Sequence, residues 1–428
     1  MPKISLLRPN KSFFLICILL SFFFLFFRLY DLEKHLNFAS DQGFQFLEIY
    51  NLYQSKQISL IGPSSSFAQG GKSFFFGPAP YYVTMLPLVL TSWNPVSVSF
   101  FLIFLNLTSF IVLFYIILKR LKMPLFAYIS ALLFIMSPVM IRYSQFYWNP
   151  NYHLPISTLI VALIIYMQKN KSPFLFFAVG FLLGFGMQFH YAYFLAICAS
   201  FIALIILKNL SIKKFVIISA GFLFGFAPII IFELRHNFYN LQTFLAFITS
   251  PVHQTPSFQF YYLLSVWPFI LIAVSYILFK ILVKNKLLGI TMLFIYIAWS
   301  TQQFLFPSFA KIPQIRGWNY QSEKKAVQII KNQNKSKYSI IDILTGDTRA
   351  MALRFLLVTS GSNPLSVSSY PQAENIFLYT SIPISQIKKG SLWELDVVKP
   401  VRVVKKWHID QDVYLYLLQK DSPPSTQN

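Results

Sequence analysis

The sequence predicts a polytopic α-helical membrane protein of about nine transmembrane helices, followed by an extracytoplasmic α/β domain at the C-terminal end. Three observations carry this expectation. Of the 428 residues, 56% are hydrophobic and only 12% charged, and the mean hydropathy of +0.56 exceeds what a soluble chain of this length sustains. Between residues 12 and 307, polar punctuation divides the chain into apolar runs of bilayer-crossing length. Beyond Lys311 the pattern changes to short helices and strands typical of a soluble unit.

The spans are expected near 12–30, 96–118, 123–141, 154–168, 173–189, 191–207, 214–232, 259–283 and 287–306. The run from Ser12 to Phe27 has no small-residue cleavage site after it and reads as an uncleaved signal anchor. Pro173–Leu207 is too long for one helix and is divided at Gln188, Phe189 and His190, where polar groups interrupt it. The net charge of +22, from 36 basic and 14 acidic residues, is not read as a nucleic-acid signature. The basic residues sit in short clusters between apolar runs, where they act as topology signals and meet anionic headgroups of membrane lipids. Cys17 and Cys198 lie in apolar runs without metal or disulfide spacing.

Lys and Arg resist translocation in short loops, so the side richer in them is cytoplasmic. With the N-terminus inside, Lys119, Arg120, Lys122, Lys169, Lys171, Lys208, Lys213, Lys214, Lys280, Lys284 and Lys286 are cytoplasmic, whereas Arg28, Lys34, Lys56, Lys72, Arg142 and Arg235 are outside. The acids before residue 310 (Asp31, Glu33, Asp41, Glu48 and Glu233) all fall on that outer side. The multi-pass chain then belongs in the cell membrane with its C-terminal domain extracytoplasmic. This orientation requires the apolar stretch Phe74–Trp93, interrupted by Gly77, Pro78, Pro80 and Pro87, to be interfacial or re-entrant.

The domain reading is a membrane domain over 1–310, including a long first outer loop at 31–94, an α/β domain over 311–421 and a disordered tail at 422–428. In the α/β part, Ser322–Lys331 reads as a Ser-capped helix and Asp347–Leu357 as a second one, with strands at Tyr338–Leu344, Asn375–Thr380, Val401–Trp407 and Val413–Leu418.

In the first outer loop, Gln42–Gln57 reads as an amphipathic surface helix that puts Asp41, Gln45 and Glu48 on one face. Residue type alone leaves Asp41 open between capping that helix and acting as a base. Trp148, Asn149 and Asn151 are open between an interfacial turn and a site, and Glu233 beside Arg235 reads as simply neutralising it.

A first span, an outer-loop Asp opening a surface helix and the stretch Gly77-Pro78-Ala79-Pro80-Tyr81-Tyr82 before the second span resemble the GT-C glycosyltransferases. The branch resembled is the dolichyl-phosphate-mannose protein mannosyltransferase and aminoarabinose transferase-like family of prokaryotic membranes. Trp148-Asn149-Pro150-Asn151 and Phe232-Glu233-Leu234-Arg235-His236 resemble a bacterial subgroup of it. The resemblance implies an extracytoplasmic sugar transfer from a polyprenyl-phosphate-linked donor, with Asp41 as the catalytic base. Glu48, Trp148, Asn149 and Asn151 then support the site or the acceptor, and Arg235, His236, Lys72 and Arg142 are the cations for the donor phosphate. The acceptor stays open. No cofactor is implied, and Gln42 after Asp41, where relatives carry a second acid, weakens any metal site there. Gly77 stands where relatives often carry Lys, which leaves Lys72 as the nearest lysine. The rival reading is a lipid-linked saccharide transporter or flippase. Transporters place ionisable groups near the bilayer midplane, whereas here they collect at one interface.

Overall fold

The computed structural model describes residues 11–69, 72–249, 259–305, 315–345, 347–387 and 392–421. The helices are α1 (Lys11–Leu29), α2 (Leu32–His35), α3 (Ser40–Ser55), α4 (Ala79–Leu90), α5 (Val96–Tyr115), α6 (Pro124–Met136), α7 (Pro138–Arg142), α8 (His153–Tyr166) and α9 (Pro173–Met187). They continue with α10 (Phe194–Ile206), α11 (Ile212–Gly225), α12 (Ala227–Arg235), α13 (Tyr239–Thr249), α14 (Trp267–Lys284), α15 (Lys286–Leu305), α16 (Tyr320–Asn332), α17 (Met351–Thr359) and α18 (Trp393–Asp396). The strands are β1 (Ser64–Gln69), β2 (Lys72–Phe75), β3 (Tyr338–Asp342), β4 (Asn375–Thr380), β5 (Val401–Asp410) and β6 (Val413–Lys420). The tail at 422–428 lies outside the described residues.

Two compact units emerge: Met1–Tyr30, Ile58–Val83 and Ser99–Phe309 form one, and Asp31–Gln57, Thr84–Val98 and Ala310–Asn428 the other. Within the second unit α3 buries an apolar face on α17: the Phe46 and Phe355 rings lie 5.5 Å apart, and Gly43 meets the backbone of Ala352 so closely that a Cβ would sit 2.3 Å from its nitrogen.

In the helical unit, α14 and α15 leave large apolar side chains exposed, among them Leu287 and Phe294 at 78% and 70%. Such surface is stable in lipid and not in water. By length and composition, three described helical stretches are long and apolar enough to cross a membrane, Val96–Arg120, Trp267–Lys284 and Lys286–Leu305, and a fourth if the pair Ile212–Gly225 and Ala227–Arg235, bent by 66°, counts as one. The other expected spans are built from shorter helices. Pro138 ends α6, and the break expected at 188–190 separates α9 from α10. The Phe74–Trp93 stretch is helical only over α4, whose 12 residues span about 18 Å, short of the roughly 30 Å hydrocarbon core. Phe74 and Phe75 belong instead to an antiparallel hairpin of β1 and β2, in register Gln69↔Lys72.

Arg28, expected as an outer topology signal, is fully buried. It donates to the carbonyls of Phe134 (3.3 Å) and Ile135 (3.2 Å), while Tyr296 donates to Leu133 O at 2.8 Å. Pro138 has no N–H to give Phe134 O, so the side chains replace the bonds that the helix break removes.

Helices α9 and α11 meet through reciprocal glycines. A Cβ at Gly180 or Gly184 would lie 2.0 or 2.1 Å from the carbonyl oxygen of Ile218 or Phe222, and one at Gly221 or Gly225 would lie 2.2 Å from that of Phe177 or Phe181. Small residues four apart on both helices bring the backbones together without a side chain between them. Gly184→Ala is expected to cost about 1–3 kcal/mol by overpacking, read as a lower melting temperature of the purified chain.

The second unit holds a four-stranded sheet in the order β3-β4-β6-β5, with β3 parallel to β4 and the remaining pairs antiparallel. Every residue of β3 and β4 is buried, and Ile341, Ile376, Leu378 and Leu418 join the core with Tyr370 and Val398. α16 is capped three residues before the expected Ser cap, at Asn319: Asn319 Oδ1 accepts from the Ser322 N–H, and Ser322 Oγ in turn accepts from the Asn319 N–H. Ser322 is thus the third helical residue of a capping box and not the cap. α17 begins at Met351, later than expected, after Ala350 in a left-handed conformation (φ 56°).

Candidate active site

Asp41 is the second residue of α3. The helix is capped at Ala39, whose N–H donates to Gln42 Oε1 at 3.1 Å. The Asp41 carboxylate therefore is not the cap, and it makes no hydrogen bond to any described residue. It keeps an exposed face. Partial desolvation and the nearby Asp347 carboxylate raise its pKa above the usual aspartate value, against a lowering influence from Arg349. Arg349 donates to Asp347 in a 2.7 Å ion pair, and its guanidinium lies 6.0 Å from the Phe44 ring of α3. Glu48, two turns further along α3, is half-buried and likewise raised by desolvation.

Beneath this surface lies a buried acid that the sequence did not single out. Asp342 ends β3 with no exposure and accepts from the Leu344 N–H at 2.8 Å and from Thr345 Oγ1 at 3.0 Å. Burial pushes its carboxyl up to about 7, against those hydrogen bonds. Glu323, also fully buried, is raised well above the usual value by burial and by Asp342, while the Trp318 indole N–H donates to it. A carboxyl raised on folding holds its proton better in the native state, so it favours folding at low pH and loses that contribution as pH rises from the unfolded to the folded value. The second unit is expected to lose stability between pH 3.8 and about 7, and Asp342→Asn to flatten that slope. Melting temperature recorded across this range checks it.

The other candidates lie in the helical unit. Glu233 does not neutralise Arg235: its two oxygens accept from the backbone N–H groups of Asn240 (3.1 Å) and Leu241 (3.0 Å), capping α13. Arg235 is exposed and has no acidic partner among the described residues. His236 stacks on Phe232 at 4.3 Å, with Nδ1 2.9 Å from Phe232 O. Lys72 opens β2, which is tied to the same corner. Asn240 Oδ1 accepts from the Phe75 N–H at 2.7 Å, and Tyr239 donates to Ser73 O at 3.3 Å. The backbone that follows Lys72 is therefore tied to the start of α13, the helix after Arg235 and His236. Arg142 is committed elsewhere, half-buried with its guanidinium 5.0 Å from the Phe146 ring.

Gly77 explains why no lysine stands at its place. Its N–H donates to Gln188 O at 2.9 Å, and a Cβ there would lie 2.5 Å from the Gln188 side chain. Gln188 also donates to Gly225 O at 2.6 Å and accepts from the Ala79 N–H at 3.3 Å. The Gly77-Pro78-Ala79 turn is thereby fixed on the α9–α10 break.

Trp148 packs on Tyr261 at 4.7 Å, Tyr261 on His190 at 5.5 Å, and His190 on Phe76 at 4.8 Å. This ring chain connects the segment between α7 and α8 to the end of β2. Asn149 and Asn151 are buried, the first accepting from the Tyr147 hydroxyl at 2.8 Å and the second donating to Phe146 O at 2.8 Å. Their side chains hold the loop that carries Trp148. Among the described residues, no group of three or more His, Cys, Asp or Glu side chains is arranged to hold a metal ion.

No protein-family model matches the sequence, and no curated protein does. Among solved structures, ArnT from Cupriavidus metallidurans, crystallised with undecaprenyl phosphate, matches with a TM-score of 0.55 at 9% identity, covering 95% of this chain and 98% of that one. At that identity the likeness is one of fold, and the chain shares its overall architecture with that structure.

Proposed function

We propose that this chain transfers a sugar from a polyprenyl-phosphate-linked donor to an acceptor at the extracytoplasmic face of the membrane. The observation that carries this reading is the fold shared over 95% of the chain with ArnT, whose structure holds undecaprenyl phosphate. In such a transfer the acceptor hydroxyl or amine attacks the anomeric carbon, loses its proton and displaces the lipid phosphate. Asp41 takes that proton. It has no competing hydrogen bond among the described residues, and its raised pKa brings it nearer the basicity a general base needs. Negative charge grows on the departing phosphate, which a cation must stabilise. Arg235 is the foremost candidate, with His236 beside it, and Lys72 and Arg142 are further cations. Glu48 supports the acceptor along the helix that carries Asp41, and Trp148, Asn149 and Asn151 have a supporting role within the helical unit.

Binding of undecaprenyl phosphate to the purified chain, followed by native mass spectrometry, tests the donor class. The expected result is saturable binding competed by a second polyprenyl phosphate and not by the uncharged polyprenol. Equal competition by the polyprenol would remove phosphate recognition and with it the reading.

The proposed orientation has the N-terminus and Lys119–Lys122 cytoplasmic and the α/β unit outside. A cysteine placed at Lys122 is then expected to resist a membrane-impermeant thiol reagent in intact cells and to react after permeabilisation. Labelling in intact cells would invert the topology and remove Asp41 from the outer face.

A further inference from the structure

The residues between β3 and α17 reach the first turn of α3, beside Asp41. Thr345 Oγ1 donates to Asp342 Oδ2 at 3.0 Å, and the Ser40 hydroxyl shares a 2.9 Å hydrogen bond with Thr345 Oγ1 in which either hydroxyl can donate, while also reaching Asp347 O at 3.5 Å. Asp342 is itself held by the Leu344 N–H at 2.8 Å. The chain Ser40–Thr345–Asp342 thus runs from the residue preceding Asp41 into the core of the α/β unit. On the other side of Asp41, Gly43 is pressed against the Ala352 backbone. The first turn of α3 is therefore fixed on both sides of the carboxylate. Capping does not need the Ser40 hydroxyl, since the Ala39 N–H is met by Gln42.

We propose that Thr345, through Ser40 and anchored by Asp342, is a positioning residue that sets the place of the Asp41 carboxylate, so that the C-terminal α/β unit takes part in the transfer step. The inference rests on the reading of Asp41 as the base. The charged groups that meet Asp41 from the same loop, Asp347 and Arg349, are paired with each other and do not replace the hydroxyl chain as an anchor.

The test compares Thr345→Val with Thr345→Ser in the full chain, using an undecaprenyl-phosphate-linked monosaccharide as donor. A base displaced by a fraction of an ångström loses rate without losing donor binding, so Thr345→Val is expected to lower kcat roughly tenfold and leave the donor KM within about twofold. Thr345→Ser is expected to restore kcat. Ser40→Ala breaks the same link from the other side and should give the same loss, with the double variant no worse than either single one. It also serves if Thr345→Val fails to fold. Unchanged kcat in both Thr345→Val and Ser40→Ala, failure of Thr345→Ser to restore the rate, or a loss confined to donor KM would overturn the inference. Failure of the Asp41 reading registers separately, as near-normal transfer by Asp41→Asn with the hydroxyl chain intact.

Discussion

Asp41→Asn is expected to lower sugar transfer by roughly two to four orders of magnitude, the range that a lost general base covers, with little change in stability. The substitution keeps the shape of the side chain and removes its ability to take a proton. It does not disturb the helix start, because α3 is capped at Ala39 and tied back by Gln42. The pH profile gives a second readout. The base works only when deprotonated, and its pKa is raised from the usual aspartate value, so the acid limb of kcat should be displaced upward from where an ordinary aspartate would put it and vanish in the variant. Glu48→Gln, two turns along the helix, should be milder. A stable Asp41→Asn chain with near-normal transfer would show that Asp41 is not the base.

Arg235→Ala is expected to weaken donor binding by on the order of tenfold or more, since a charge-assisted contact contributes about 1.5–3 kcal/mol. The structure sharpens the contrast with Arg142→Ala. Glu233 spends both oxygens on the start of α13 and leaves Arg235 unneutralised, whereas Arg142 lies half-buried against Phe146. Donor titration of the two variants separates them, and an unchanged affinity in the Arg235 variant would take it out of the phosphate site.

The sequence made legible what is local. Asn375–Thr380 reads as a continuous apolar run because β4 is buried on both faces, and the polar group at Gln188 marks the break between α9 and α10. The hairpin of β1 and β2 carried a readable signal, Gly70-Gly71 between Ser- and Phe-rich segments, but the surrounding apolar stretch suggested helix. At α16, Asn319 and Ser322 both have capping side chains, and periodicity does not say which one comes first. What sequence cannot show is partnership across long separations. Thr345 meets Ser40 from 305 residues away, Arg28 reaches Phe134 across 106, and α3 joins the C-terminal unit through Gly43 on Ala352. The candidate base was legible as an acid opening a helix, while the loop that holds it was not.

The most direct measurement of the central claim follows a labelled sugar on undecaprenyl phosphate after the purified chain is reconstituted in vesicles with extracted membrane acceptors. The account predicts that label leaves the lipid and appears in a new glycosidic bond, with release of undecaprenyl phosphate at the same rate and loss of both in Asp41→Asn. Label that crosses the bilayer still joined to its lipid, with no new bond formed, would contradict it and identify a transporter.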